Sequence, residues 1–134
     1  RFYRAAGLAG ERLAAVAARG NAYPRGVPAL PDALHAVADG DVLVLGGRAW
    51  RVATFGGHSP GMATLRRTAG DGMPVFVAGD QALPSISPNV SVLPSEPHGD
   101  PLADFLASLE RLRDVPADAL VLPSHGRPYV GLHA

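Results

Sequence analysis

Residues 42–58, "VLVLGGRAWRVATFGGH", contain the pattern that decides the fold. Two β-rich runs, "VLVL" and "RAWRVATF", flank Gly46-Gly47, and a pair of glycines between such runs predicts a two-residue β-hairpin. The second run stops at two further glycines and then at His58. On its own, this histidine is either a residue of a flexible turn or a side chain aimed at a ligand, and the stretch leaves both interpretations open.

Helices and further strands are predicted on both sides of this hairpin. The segment 8–19, "LAGERLAAVAAR", has the spacing of a short amphipathic helix, and residues 100–115, "DPLADFLASLERLRDV", predict a longer one with Asp100 as its N-cap. An apolar stripe along this second helix is expected to pack in the core, and it consists of Leu102, Phe105, Leu106, Leu109 and Leu112. A second hairpin is predicted from "MATLRRTA" through 70–72 into "PVFVAGD", and "ALVL" predicts one more strand. This order indicates an α/β chain.

Two long segments are predicted to be irregular. Residues 21–41 are rich in Pro, Gly and Asp and predict a connection with several turns. Residues 81–99, "QALPSISPNVSVLPSEPHG", interleave apolar side chains with prolines, which is unusual for a linker. Because long loops of this kind are usually functional, we expect this one to line or cover a site.

Composition limits the classes of partner. The 134 residues fit one domain, and 12 basic and 12 acidic side chains cancel without forming a run of one sign, so we expect no binding to nucleic acid or to a membrane surface. The absence of cysteine excludes disulfides and thiolate metal sites and leaves His, Asp and Glu as ligands. No apolar run approaches the roughly 20 residues of a membrane helix, which favours a soluble, cytoplasmic protein. Because the chain begins at Arg1 and not at Met, we expect it to be a piece of a longer protein.

Three predicted strands stop at a polar residue that could bind a metal. They are "RVATFGGH" at His58, "VFVAGD" at Asp80 and "LVLPSH" at His125. Functional side chains gather at strand ends in open α/β sheets, and imidazole nitrogen and carboxylate oxygen are zinc ligands. We expect the neighbouring glycines at 57, 79 and 126 to let the backbone approach a metal closely. Each of these patterns is weak by itself, and it is their combination that favours a metal site.

The stretches "GGHSPG", "VFVAGDQALPSISPNV" and "LVLPSHGRP", in this order and spacing, resemble the later motifs of the metallo-β-lactamase-fold metallo-hydrolase superfamily. The resemblance covers nearly the whole chain. It implies half of an αββα sandwich, a mixed sheet of two hairpins plus a further strand with two main helices. Residues 1–134 would then be the C-terminal portion of such a domain.

The resemblance also implies a function for the three strand ends. His58 would bind a first metal ion, His125 a second, and Asp80 would bridge the two. The ions would be zinc, with iron or manganese as alternatives. The implied reaction is hydrolysis of a small-molecule substrate, with a metal-bound hydroxide attacking an ester, thioester, lactone or amide-type bond.

Two departures from the family pattern limit what this chain can do alone. Where the family commonly has Thr-Pro-Gly-His, this sequence has Phe55-Gly56-Gly57-His58. The first family motif, H-x-H-x-D-H, is absent, since the five histidines stand at 35, 58, 98, 125 and 133 and no two are separated by a single residue. We therefore expect the missing half to lie on other sequence and the isolated chain to be inactive.

An alternative hypothesis is a non-catalytic half-fold that serves as a binding or dimerisation module. An exposed half-sandwich would present a large apolar sheet face, which monomers rarely tolerate. This hypothesis predicts a homodimer, whereas the first predicts pairing with the missing N-terminal half.

The other polar candidates are expected to be structural. His35 is predicted to be a surface or packing residue, and so is His98, for which the position in the long loop leaves a substrate role as the alternative. His133 is predicted to be solvent-exposed. Ser124 precedes His125, but "LPSHG" lacks a nucleophile-elbow pattern, so we expect its hydroxyl to cap the backbone.

Overall fold

The computed structural model describes residues 1–20, 26–27, 29–67, 70 and 72–133. Its helices are α1 (Phe2–Ala5), α2 (Gly10–Arg19) and α3 (Pro101–Leu112). Its strands are β1 (Val42–Leu45), β2 (Arg48–Phe55), β3 (Met62–Arg67), β4 (Val75–Gly79), β5 (Leu120–Pro123) and β6 (Tyr129–Val130). The chain divides into two compact units, one of Arg1–Ala36 with Leu93–Pro97 and one of Val37–Val92 with His98–Ala134.

The first unit contains α1 and α2. The predicted helix over 8–19 is confirmed as α2, which begins two residues later and ends at Arg19, with Gly20 (φ 57°) as its C-cap. Neither helix has a buried residue. Of the predicted irregular connection over 21–41, residues 21–25 and 28 lie outside the described residues, and 29–38 form no helix or strand.

None of the helices in the described ranges has the length and apolar character that crossing a membrane requires. The predicted cytoplasmic location stays a prediction.

The second unit is built on a mixed sheet with strand order β1-β2-β3-β4-β5-β6. The hairpin at Gly46-Gly47 is confirmed: Leu45 pairs with Arg48, and both glycines have the positive φ (58° and 72°) that such tight turns require. The second hairpin is confirmed by the antiparallel pairing of β3 with β4, although residues 68, 69 and 71 of its turn lie outside the described residues. β2 also pairs with β3, so the two hairpins join into one antiparallel meander.

The last two strands complete the sheet in different ways. β5 pairs with β4 in parallel, with Val75 opposite Leu120. A parallel pair needs a crossover connection, and the segment that contains α3 provides it. β6 pairs antiparallel with β5 and was not predicted. Two residues after Pro128 are too short a run for any periodicity to mark them as a strand.

α3 covers one face of the sheet and forms the core with it. The helix begins as predicted, with Asp100 Oδ1 accepting a hydrogen bond of 3.0 Å from the Ala103 amide. Among its residues, only Ser108 and Leu112 are buried. The core cluster consists of Ala53, Phe55, Phe76, Ala78, Ala82, Leu112, Val115, Ala119 and Val121.

The expectation that the whole leucine stripe of α3 packs in the core is wrong. Leu102 is 58%, Leu106 55% and Leu109 40% exposed. The reason is the close approach of the helix to the end of β2. A side chain at Gly57 would lie only 2.4 Å from Phe105 Cβ, and the Ser108 hydroxyl bonds both the amide (3.0 Å) and the carbonyl (3.2 Å) of Gly56. The row at 105, 108 and 112 therefore faces the sheet, and the leucines beside it stay at the surface.

Arg111 ties α3 to the end of β2 and to Asp39, which precedes β1. Its guanidinium donates to the Thr54 carbonyl at 2.7 Å and to Asp39 Oδ1 at 2.8 Å, and it lies 5.1 Å from the centre of the Phe55 ring. Asp39 Oδ1 also accepts from the Thr54 amide at 2.7 Å. The hydrogen bond from Arg111, followed by that from Thr54, holds the pKa of Asp39 below its ordinary value near 3.8.

We expect Arg111→Ala to lower the free energy of unfolding by about 1–2 kcal/mol, because it removes two charge-assisted hydrogen bonds and a cation–π contact together. Arg113→Ala on the same helix is the matched control. Arg113 pairs with Glu110 at 3.0 Å, but both side chains are well exposed, so its loss is expected to cost less than about 0.5 kcal/mol. Urea denaturation measures both, and equal effects would contradict the role given to Arg111.

The lowered pKa of Asp39 predicts a pH-dependent contribution to stability. A carboxyl group with a lowered folded-state pKa stabilises the fold above its unfolded-state pKa, and this stabilisation is lost as the pH falls through the folded-state pKa. We therefore expect Asp39→Asn to destabilise the protein near neutral pH, and the difference from wild type to shrink as the pH falls from the ordinary value near 3.8 through the lower folded-state pKa. Urea denaturation across this pH range measures the effect, with the exposed Asp118→Asn as control. A difference independent of pH would contradict the assignment.

Gly57→Ala is expected to destabilise the fold by more than about 2 kcal/mol, because overpacking adds to backbone strain. Gly57 has φ of +99°, and an added Cβ would lie 2.6 Å from the Phe105 Cα and 2.8 Å from its amide nitrogen. Gly61→Ala is the matched control, since its φ is +63° but no described atom lies within 4 Å of the added Cβ, so strain alone should cost about 1 kcal/mol. Thermal unfolding distinguishes the two, and equal losses would contradict the proposed contact.

Candidate functional site

The sheet brings the three predicted strand ends to one edge. β2 and β4 each run antiparallel to β3 and therefore point the same way, and β5 is parallel to β4. The chain leaves all three strands at the same edge, where it reaches His58 after β2, Asp80 after β4 and His125 after β5. Topology alone therefore explains why residues far apart in sequence meet.

The carboxylate of Asp80 lies between the two imidazoles. Asp80 Oδ2 is 3.4 Å from His58 Nε2, and Asp80 Oδ1 is 3.4 Å from His125 Nε2. The side chains of His58 and Asp80 are each 28% exposed, whereas that of His125 is 66% exposed. We call these three residues, together with Ser124, the strand-end cluster. It is shielded on the His58 side and open on the His125 side.

His58 is oriented by the loop that follows β4. Its Nδ1 lies 2.9 Å from the Asn89 carbonyl oxygen, and a carbonyl can only accept, so Nδ1 carries a proton. In the neutral ring, Nε2 then presents a lone pair toward Asp80, an arrangement that a cation between the two groups would make favourable. In the protonated ring, Nε2 presents a second N–H, although 3.4 Å exceeds a normal hydrogen-bond distance. Either way, Asn89 selects Nε2 as the atom that faces Asp80.

Ser124 holds the other side of the carboxylate. Its hydroxyl donates a hydrogen bond to Asp80 Oδ1, and its amide donates to the Gly79 carbonyl at 3.0 Å. The expectation that this hydroxyl caps the backbone is wrong, because the parallel pairing of β5 with β4 places Ser124 beside Asp80. Its position directly before His125 at a strand end was the available clue. Asn89 could not be found from sequence, because it acts through its backbone.

The donor types suit a metal ion, but the arrangement is incomplete. In the described part of the chain, no group of three or more His, Cys, Asp and Glu side chains could hold a metal ion. The geometry explains this, because the two imidazoles face different oxygens of Asp80 and do not surround one common centre. Two nitrogens and one carboxylate match the chemistry of zinc ligands but leave a four-coordinate site short of donors. The residues present therefore fit part of a metal site.

The expectation that the nearby glycines leave room for a metal is wrong at Gly57 and Gly126. The space beside Gly57 is taken by Phe105 of α3, and a Cβ at Gly126 would lie 2.7 Å from Pro84 Cγ. At Gly79 an added Cβ would make only an ordinary contact with Met62. Glycine is needed at 57 and 126 because other parts of the protein pack closely there, and not because an ion does.

The remaining histidines lie outside the cluster. His133 is exposed, as predicted, and His35 and His98 are exposed as well, so they are surface residues and not packing residues. The ring of His133 is held at 2.8 Å by the Val115 carbonyl. Among the five histidines, His58 and His125 are therefore the two that lie beside Asp80.

Comparison with solved structures shows which known fold this chain resembles. A β-lactamase domain protein from Burkholderia ambifaria is 44% identical, with a TM-score of 0.77 over 92% of this chain and 38% of its own. A metallo-β-lactamase family protein from Thermus thermophilus is 32% identical, with a TM-score of 0.62 over 76% of this chain and 32% of its own. A metallo-β-lactamase from Staphylococcus aureus is 21% identical, with a TM-score of 0.61 over 72% of this chain and 30% of its own, and at that identity it shows the fold alone.

The chain thus spans about a third of the length of the structures it matches. No family model and no curated protein matches it. The agreement with the solved structures nevertheless extends over most of this chain. The chain therefore forms part of a metallo-β-lactamase fold, a fold of the hydrolase type.

Proposed function

We propose that this chain contributes His58, Asp80 and His125 as ligands to the metal centre of a hydrolase. The observation that carries the proposal is the placement of one carboxylate between two imidazole Nε2 atoms, each 3.4 Å from a different oxygen. A carboxylate that presents one oxygen to each histidine has the connectivity of a bridging ligand. His58 would then bind one ion, His125 the other, and Asp80 both.

Zinc is the first choice of metal, and iron and manganese are alternatives with overlapping ligand preferences. When bound, a pair of such ions polarises a substrate oxygen and lowers the pKa of water. The chain's own residues supply positioning: the Asn89 carbonyl orients the His58 ring, and the Ser124 hydroxyl holds Asp80 Oδ1. Such supporting contacts commonly change metal affinity by about 10–100-fold when removed.

The substrate class is proposed as a small molecule with an ester, thioester, lactone or amide-type bond. The open side of the cluster at His125 is where such a substrate would approach. The balance of 12 basic and 12 acidic residues supplies no excess positive charge for a polyanion such as nucleic acid. A cytoplasmic location belongs to the same proposal.

The proposal requires ligands from outside this chain. Two ions need more donors than two histidines and one aspartate can provide. We propose that residues 1–134 are the C-terminal portion of the domain and pair with an N-terminal portion that carries the missing donors. By this account the isolated chain is inactive.

A second candidate is a non-catalytic half-fold that forms a homodimer. The exposed apolar side chains favour it, since Val44 in the edge strand β1 is 73% exposed in addition to the leucines of α3. Light scattering on the isolated chain separates the candidates. A folded monomer would contradict the dimerisation module.

The metal-centre proposal predicts the metal content of the full-length protein. We expect about two ions per chain in the wild type, because the proposed site is dinuclear, and less than about one in Asp80→Asn, because the bridging carboxylate is lost. His98→Ala is the matched control, since His98 is exposed and lies outside the cluster. Elemental analysis after dialysis measures the content. Less than one ion in the wild type, or undiminished content in Asp80→Asn, would contradict the proposal.

A further inference from the structure

The neighbouring strands β2 and β3 carry a local excess of positive charge. They contain four arginines, Arg48, Arg51, Arg66 and Arg67, and neither strand contains an aspartate or a glutamate. The chain as a whole has 12 basic and 12 acidic residues, so these strands depart from its overall balance. Arginine stays protonated at every physiological pH, so this local excess does not depend on pH.

Two of these arginines lie directly opposite each other on one face of the sheet. Arg51 of β2 pairs with Arg66 of β3 in the antiparallel register. Residues that are directly opposite point to the same face, with their Cβ atoms about 4.5–5.5 Å apart, and like charges in such a pair are destabilising. The pairing therefore places two positive charges where an anion between them would remove the repulsion.

The partners of these arginines differ. Arg67, on the other face, donates to the Met73 carbonyl at 2.9 Å. Arg51 donates to the Gly40 carbonyl at 3.3 Å, a contact that orients its guanidinium without neutralising the charge. Arg66 is half-buried, yet its guanidinium makes neither a hydrogen bond nor an ion pair with the described residues. Within the described part of the chain, the pair of Arg51 and Arg66 therefore lacks a counter-ion.

The surroundings of the pair strengthen the attraction for an anion. Across four strands, the row on this face reads Val42, Arg51, Arg66 and Phe76, so the two cations lie between apolar side chains. Phe76 is 0% exposed and belongs to the core. Charges beside such low-dielectric surroundings interact more strongly than charges in open water.

The chemistry of two guanidinium groups selects the kind of anion. Each guanidinium presents a planar fork of N–H donors that matches the oxygens of a phosphate. A phosphate monoester carries about 1.5 to 2 negative charges near neutral pH, which balances two cations. A carboxylate or a phosphodiester carries a single charge, so the pair favours a phosphate monoester or free phosphate over a nucleic-acid backbone.

We propose that Arg51 and Arg66 bind a phosphate group, either free or as the monoester of a small molecule, between their guanidinium groups. This site is separate from the strand-end cluster. Arg51 lies four residues before Phe55, or about 13 Å along β2, and His58 lies beyond the end of that strand. The proposal therefore does not rest on the metal centre.

Calorimetric titration of inorganic phosphate into the full-length protein at pH 8 tests the site, with the ionic strength held constant by sodium chloride. Asp80→Asn serves as the parent protein, because loss of the proposed bridging ligand keeps phosphate away from a metal centre. We expect saturable binding to the parent and at least about tenfold weaker binding after Arg66→Gln, because charge-assisted hydrogen bonds are lost. Arg113→Gln is the matched control, since Arg113 is exposed and pairs with Glu110. Absence of saturable binding, or equal losses in both variants, would overturn the proposal.

The repulsion between the two arginines provides a second readout. Without phosphate, Arg66→Gln relieves this repulsion and is expected to raise the midpoint of thermal unfolding above that of the parent by about 1–2 °C. With saturating phosphate the order should reverse, because binding stabilises only the parent. Sodium chloride at the same ionic strength should cause no reversal, which separates binding from screening. The same order of midpoints in both buffers would contradict a phosphate site.

Phenyl phosphate distinguishes the two sources of the phosphate group. Tighter binding of phenyl phosphate than of inorganic phosphate would identify the ligand as a monoester with an apolar body, and equal binding would identify free phosphate. Phenyl phosphate binding that is unaffected by Arg66→Gln would overturn the proposal. Metal content should be the same in Arg66→Gln and in the wild type, so failure of the phosphate site is distinguishable from failure of the metal centre.

Discussion

The close approach of α3 to the end of β2 is the constraint on which the rest of the second unit depends. Gly57 has no side chain, and the space that one would need is filled by Phe105 of the helix. Ser108 then satisfies both backbone groups of Gly56, and Arg111 reaches the Thr54 carbonyl. These contacts fix the end of β2 against the helix, so that the chain emerges toward His58 in one direction.

Strand direction does the rest of the positioning. β2, β4 and β5 point the same way, so the residues that follow them meet at one edge, and Asp80 comes to lie between His58 and His125. Ser124 and the Asn89 carbonyl orient the carboxylate and one imidazole. The result is an oriented set of donors that is too small for a complete site, which is consistent with a chain about a third the length of the structures it matches.

The same helix approach leaves an apolar groove of about 530 Å³ between α3 and the loop after β4. Because the row at 105, 108 and 112 faces the sheet, the neighbouring leucines remain at the surface and form a wall with the loop after β4. Asp80 and Gln81 are consecutive, yet Asp80 belongs to the polar strand-end cluster and Gln81 is buried, at 1% exposure. The two residues that follow β4 therefore lie in different surroundings, one polar and partly exposed and the other buried.

The sequence by itself determined the local elements and the three strand ends. Gly46-Gly47, the Asp100 cap and the stops at His58, Asp80 and His125 are short-range patterns, and each was confirmed as a turn, a cap or a strand end. Only the tertiary structure decided which row of α3 is buried, that β6 pairs with β5, that Ser124 contacts Asp80 and that Asn89 contacts His58. Helical periodicity identifies an apolar stripe but not how closely a helix packs, and contacts between residues 31 or 44 positions apart depend on strand pairing that no local pattern encodes.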